Sequence, residues 1–288
     1  MEVLYLTHPL NGHVAIQEPH VMALGFFDGV HLGHQYLLQQ AKKVANKKKL
    51  KLSVMTFHPH PSEIIKCETD RKYITPLSSK LEEMSQFGVD RVLVMEFTLL
   101  FASLPASEFI NQYIINLHAT HVVAGFDFTF GYKAQGNVDY LRKASLSNPF
   151  DVTVIPKRIT NDNKISSTLI RELISEGDVH LVPYYLGKHY EIKGSSHYPK
   201  DLFIYQQLNS MEFHIQEKYV MPKPGLYKVE IAYGDRTIQG FLKHSGSNDS
   251  RVELNSNKLD RLKEGNHQEM TVKFFNKVAY MDSIPIWN

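Results

Sequence analysis

A chain of 288 residues is long enough for two ordinary domains, and 43% apolar with 22% charged residues is a globular composition. A net charge of only +2 gives no electrostatic case for nucleic acid or a membrane surface as partner. The single cysteine, Cys67, excludes an internal disulfide and a cysteine-rich metal site and fits a reducing compartment. Residues 1–10 carry no signal-peptide pattern and the apolar run 21–27 is too short to span a bilayer, so a cytoplasmic protein is expected.

Residues 21–26 are apolar and run into a turn over 25–29, which predicts a strand followed by a sharp turn. Residues 33–46 place Leu37, Leu38, Ala41 and Ala45 near helical spacing. Lys42, Lys43, Lys47, Lys48, Lys49 and Lys51 crowd the end of that helix, where cations complement the dipole. No aromatic residues interleave with them, as a nucleic-acid site would require. Residues 52–57 form the next strand. Ser79 and Glu82 have capping-box spacing ahead of Met84 and Phe87, with Gly88 as helix stop. Residues 91–97 read as a strand, and Pro105 sits where a first helical residue belongs, before Phe109, Tyr113 and Ile114. Strands over 121–124 and 152–155 complete the set. Such alternation predicts an α/β domain over 1–186, a doubly wound parallel sheet covered on both faces. After about Val182 the pattern changes. Residues 202–208, 212–216, 227–233, 237–242 and 270–275 read as strands and only 258–263 as a short helix, which predicts a small β-barrel domain over 187–288.

The strand 21–26 feeds into Phe27-Asp28-Gly29-Val30-His31-Leu32-Gly33-His34. Strand, sharp turn and helix start in that order make a phosphate site, because first-turn N–H groups lack partners and the dipole is positive there. His31 and His34 share a helical face, and Gly33 lets a ligand approach the backbone. Two histidines capping the helix would give the same pattern. The His-x-Gly-His spacing resembles the signature of the nucleotidylyltransferase superfamily, which implies that both histidines hold the phosphates of ATP. Phe27, Asp28, Gly29 and Gly33 then shape the nucleotide-binding turn.

Ile165-Ser166-Ser167-Thr168-Leu169-Ile170-Arg171 precedes a short helix ending near Gly177. Hydroxyls at a helix start cap it, and beside free N–H groups they also cradle an anion. Arg171, one turn on, can aim a guanidinium at the same phosphate. The segment resembles the Ile-Ser-Ser-Thr-x-x-Arg motif of the same superfamily, which implies triphosphate binding by Ser167, Thr168 and Arg171. No Lys-Met-Ser-Lys-Ser-like segment points to a tRNA synthetase. Gly131 and Gly136 have P-loop spacing, but Asn137 and Val138 replace its Lys and Ser/Thr.

Thr56-Phe57-His58-Pro59-His60-Pro61 and Gly125-Phe126-Asp127-Phe128-Thr129-Phe130-Gly131 each follow a strand. Both resemble the N-terminal half of the prokaryotic bifunctional riboflavin kinase/FMN adenylyltransferase family, over residues 1 to about 190. The resemblance implies FMN contacts at Pro59, Pro61 and Asp127. Phe57, Phe128 and Phe130 offer apolar surface to a ring system or belong to the core. His58 stands where the family is often acidic, and His58 with His60 would need a third ligand to hold a metal.

Gly177-Asp178-Val179 and Leu186-Gly187-Lys188-His189-Tyr190 still follow the family pattern. Beyond Gly194 the kinase's Gly-Phe-Pro-Thr-Ala-Asn-like stretch is missing: residues 195–201 read Ser-Ser-His-Tyr-Pro-Lys-Asp. Glu253 is a weak match to the kinase carboxylate. The expected function is adenylyl transfer from ATP to FMN, giving FAD and pyrophosphate, with Mg²⁺ accompanying ATP. Alternatives are nicotinate mononucleotide or phosphopantetheine as acceptor, a fully bifunctional enzyme, or a flavin- or nucleotide-binding regulator without turnover.

Overall fold

The computed structural model describes residues 1–10, 16–160, 163–197, 210–246, 251–255 and 269–278. They fall into two compact units: Met1–Arg71 with Leu77–Ile165, and Lys72–Pro76 with Ser166–Asn288.

The first unit is built on β1 (Glu2–Leu6), β2 (His20–Leu24), β3 (Lys51–His58), β4 (Arg91–Glu96), β5 (Ala119–Gly125) and, after a short hairpin of β6 (Thr129–Phe130) and β7 (Gly136–Asn137), β8 (Asp151–Ile155). The six long strands pair in the order β1-β4-β3-β2-β5-β8, every pairing parallel. A second hairpin, β9 (Ile159–Thr160) and β10 (Asn163–Lys164), follows. The helices are α1 (Leu32–Lys48), α2 (Pro61–Ile65), α3 (Leu77–Ser85), α4 (Leu99–Ala102), α5 (Ala106–Ile110) and α6 (Val138–Ser145).

The continuous apolar runs follow from burial on both faces. Along β2, Val21 and Ala23 pack with Leu37, Leu38 and Ala41 of α1, while Met22 and Leu24 pack with Phe109, Tyr113 and Leu141 on the other face. α1 starts at His31, whose side chain accepts the His34 N–H. It stops where Lys49 turns left-handed at φ 57°, with Lys47 and Lys48 in the last turn.

Two local expectations are corrected, and one strand was not foreseen. α3 begins at Leu77, so Ser79 lies inside the helix and makes no capping box with Glu82. Pro105 is the cap of α5, with Ala106 as first helical residue, and α5 widens into a π-turn over Asn111–Ile115. The edge strand β1 was not legible, because its partly exposed residues show neither a clean alternation nor a continuous buried run.

In the second unit, α7 (Ser167–Glu176) and α8 (Pro183–Leu186) precede β11 (Glu191–His197), β12 (Ser210–Ile215), β13 (Gly225–Tyr233), β14 (Arg236–His244), β15 (Arg251–Asn255) and β16 (Glu269–Val278). These strands close an antiparallel barrel in the order β11-β12-β15-β14-β13-β16. Tyr227, Val229, Ile231 and Tyr233 of β13 are buried in strict alternation. The segment Lys72–Pro76 belongs here too: Tyr73 donates to the Lys218 carbonyl at 2.7 Å and accepts from the Val220 N–H at 2.8 Å. The expected strand 202–208 and helix 258–263 lie outside the described residues. Among the described residues no helix is long and apolar enough to cross a membrane.

Candidate active site

The strand order reverses between β2 and β5, and ligands of open α/β sheets sit at the carboxyl ends of strands at such a point. A cavity of about 510 Å³ opens there. Its wall includes Gly25, Phe26, Phe27 and His34 after β2, and Gly125 and Asp127 after β5. The rest is strongly aromatic, with Phe57, Phe97, Phe101, Phe109, Phe128 and Phe130 contributing. Phe57 and Phe130 are buried core residues that also line the cavity.

The turn after β2 is tightly wound. Phe27, Gly29 and Val30 have φ of 59°, 83° and 42°, and only the glycine adopts this region without cost. Two groups grip the turn from below: Thr56 Oγ1 donates to the Phe26 carbonyl at 2.8 Å, and Lys80 Nζ to the same oxygen at 3.0 Å.

His31 and His34 emerge from this turn with their rings stacked, 3.6 Å between centroids and 11° between planes. His31 Nδ1 accepts the His34 backbone N–H at 3.2 Å. That bond leaves the proton of a neutral His31 on Nε2. Burial pushes the His31 imidazole down to about 4. Burial, then the charges of His31 and Lys80, hold His34 well below the usual histidine range. The site thus presents two neutral imidazoles, and His34 Nδ1 is sealed from solvent without a hydrogen-bond partner among the described residues. A Cβ on Gly33 would press on the His31 ring at 3.1 Å, so this glycine also leaves room for the histidine stack.

The model of the FAD synthetase family matches residues 13–169, more than half of the chain. The chain belongs to the FAD synthetase family. It is similar to the bifunctional riboflavin kinase/FMN adenylyltransferases of Listeria monocytogenes, 38% identical over 84% of this chain and 77% of the relative, and of Bacillus subtilis, 38% over 83% and 76%. It also resembles a FAD synthetase of Listeria monocytogenes, 33% identical over 76% of this chain and 86% of the relative. In fold it matches a crystal structure described as a macrolide-efflux protein from Streptococcus pneumoniae, with TM-score 0.83 and 24% identity over 99% of this chain and 94% of the other. As a FAD synthetase, the protein transfers the AMP part of ATP to FMN, giving FAD and pyrophosphate.

The remaining residues expected from the sequence divide between the units. Asp28 and Gly29 are buried in the turn itself. Asp127 lies at the cavity wall, ion-paired with Lys164 at 2.7 Å. Pro61 lines the cavity as first residue of α2, whereas Pro59, in the preceding loop, is not part of that wall. His60 caps α2, accepting the Ser62 N–H at 3.0 Å, and sets its ring against Phe26. Ser167, Thr168 and Arg171 stand on α7 of the second unit. Ser166 caps that helix, accepting the Leu169 N–H, and Gly177 ends it at φ 84°. Arg171 Nη1 donates to the Lys72 carbonyl at 2.5 Å. Sequence reasoning had not placed Phe97, Phe101 and Phe109 at the cavity, though Phe97 directly follows a strand of a switch-point sheet. The burial of Lys80 under the turn was also missed. Its signal was a lysine on the apolar stripe Leu77, Leu81, Met84.

Proposed function

We propose that the two imidazoles are the phosphate-stabilising groups of adenylyl transfer and that the aromatic cavity takes the isoalloxazine of FMN. The observation that carries this reading is the stacked, neutral histidine pair at the start of α1, beside a 510 Å³ aromatic cavity at the switch point. The nucleophile is an FMN phosphate oxygen, largely ionised because a phosphate monoester has its second pKa near ~6. It attacks the α-phosphorus of ATP. The new P–O bond forms as the bond to the β-phosphate oxygen breaks, and pyrophosphate leaves with that electron pair. No proton must be removed from the nucleophile, so positioning and charge stabilisation supply the rate.

His31 serves as an Nε2–H donor from a fixed tautomer. His34, stacked on it, meets the negative charge that grows on the leaving group, and a nearby polyanion raises the proton affinity of both rings. Ser167, Thr168 and Arg171 act on the triphosphate, with Phe27, Asp28, Gly29 and Gly33 shaping the turn. Pro59, Pro61 and Asp127 act on FMN. Among the described residues no three His, Cys, Asp or Glu side chains gather to hold a metal. Mg²⁺ would be carried on the phosphates of ATP and water, where it would offset their charge.

The barrel unit, in this reading, is not a riboflavin kinase. Kinase catalysis rests on ligands for ATP phosphates and metal, and residues 195–201 lack the Thr and Asn that would supply them. The purified protein should form FAD from FMN, ATP and Mg²⁺ and leave riboflavin unphosphorylated. Chromatography of both incubations decides this: conversion of riboflavin at a rate comparable to FMN adenylylation overturns the loss of kinase activity.

A further inference from the structure

We infer that Lys80 is a positioning residue for adenylyl transfer, its buried ammonium clamping the turn that presents His31 and His34 and placing a fixed positive charge behind them. The inference rests on the assignment of the two histidines to the phosphates. Lys80 is only 2% exposed, an arrangement rare for lysine unless its charge has a use. Its Nζ donates to the Phe26 carbonyl at 3.0 Å and to Thr56 Oγ1 at 3.1 Å, and stands 4.5 Å over the Phe26 ring. Those contacts fix the residue that immediately precedes the left-handed Phe27. Among the described residues, the charged and titratable groups that face Lys80 are the Asp28 carboxylate of the turn, which attracts it, and His34 of α1, which feels its charge. From β3 the Thr56 hydroxyl faces it.

A purely structural explanation fits poorly. Burying an ammonium is costly, and a well-packed apolar side chain of similar volume is often as stabilising. The Phe26 carbonyl would also keep a donor without Lys80, because Thr56 Oγ1 already bonds it at 2.8 Å. What only the lysine supplies is a cation behind the site, where phosphate charge accumulates in the transition state. In a dry interior such a charge acts with little screening.

Burial brings Lys80 down from 10.5 to about 8. The folded value lies below the unfolded one, so losing the proton does not itself destabilise the fold. kcat/KM, which reports the free enzyme, should therefore decline as pH rises through about 8 while the protein stays folded. Lys80→Met should lower kcat roughly 10²-fold at pH 7, as misplaced catalytic groups do, with KM for FMN little changed and the alkaline decline abolished. Lys80→Arg, which stays charged at high pH, should also lose the decline. A wild-type profile flat to pH 9, or a Lys80→Arg enzyme that keeps the decline, overturns the inference even if Lys80→Met does not fold. Failure of wild-type protein to make FAD would instead overturn the site assignment on which the inference depends.

Discussion

The His34 side chain takes no part in the α1 cap. The cap is made by the His31 ring and the His34 backbone N–H, so removing the His34 side chain leaves that bond intact. His34→Ala should therefore fold, with kcat for FAD formation lowered on the order of 10²–10³ and FMN affinity largely kept, since one transition-state donor is lost. Unchanged kcat in steady-state assays would remove the residue from the mechanism. The sequence could show that two histidines share a face, but not that one takes the other's N–H, nor which nitrogen keeps the proton. Those details depend on the left-handed Phe27 and Val30, which no propensity predicts. Lys80 was hidden for a related reason: in sequence a lysine on a helix is ordinarily solvated, and only the packing of α3 under the turn reveals otherwise.

Elements were legible where period and burial agree. β2 to β5 and α1 are continuous or strongly periodic apolar segments, and sequence found them within a few residues. The connection from β5 to α6 was not legible as structure, yet its hairpin supplies Phe128, Phe130 and Gly131 to the cavity. Gly131 shows how closely that hairpin is packed. It sits at φ 74°, and a Cβ there would lie 2.8 Å from the Cα of Ala106, backbone that cannot rotate away. Gly131→Ala should cost about 1–3 kcal/mol through strain and overpacking. Because α5 and the hairpin share the cavity wall, KM for FMN should rise as well. A thermal midpoint and KM both equal to wild type would show that the hairpin is free to shift.

For the molecule as a whole, buried histidines set the acid limit. His20 and His31 are both pushed by burial down to about 4, against 6.5 for the free side chain. Between those values the unfolded chain binds protons that the folded chain refuses. Stability is therefore full above pH 6.5 and falls as the pH drops through this window, by roughly 3 kcal/mol per histidine at the lower end. Asp90 and Asp151, held below the usual carboxylate range, lose their contribution at still lower pH and add in the same direction. Urea midpoints at pH 7 and pH 5 test this; equal midpoints would mean the two rings take up protons inside the fold. The change from α/β to β pattern was plain in sequence, but membership of the compact units was not: five residues of the first half, Lys72–Pro76, are bonded into the second unit.

That short strap has a consequence in time. Tyr73 leaves the ribosome about 150 residues before Tyr219, the residue it bridges. At ~5–20 residues per second the strap waits roughly 7–30 s for its partner to be made. Through that interval the nascent chain carries backbone donors and acceptors at Tyr73 whose final partners do not yet exist, so the second unit can be completed only after most of the protein has been synthesised.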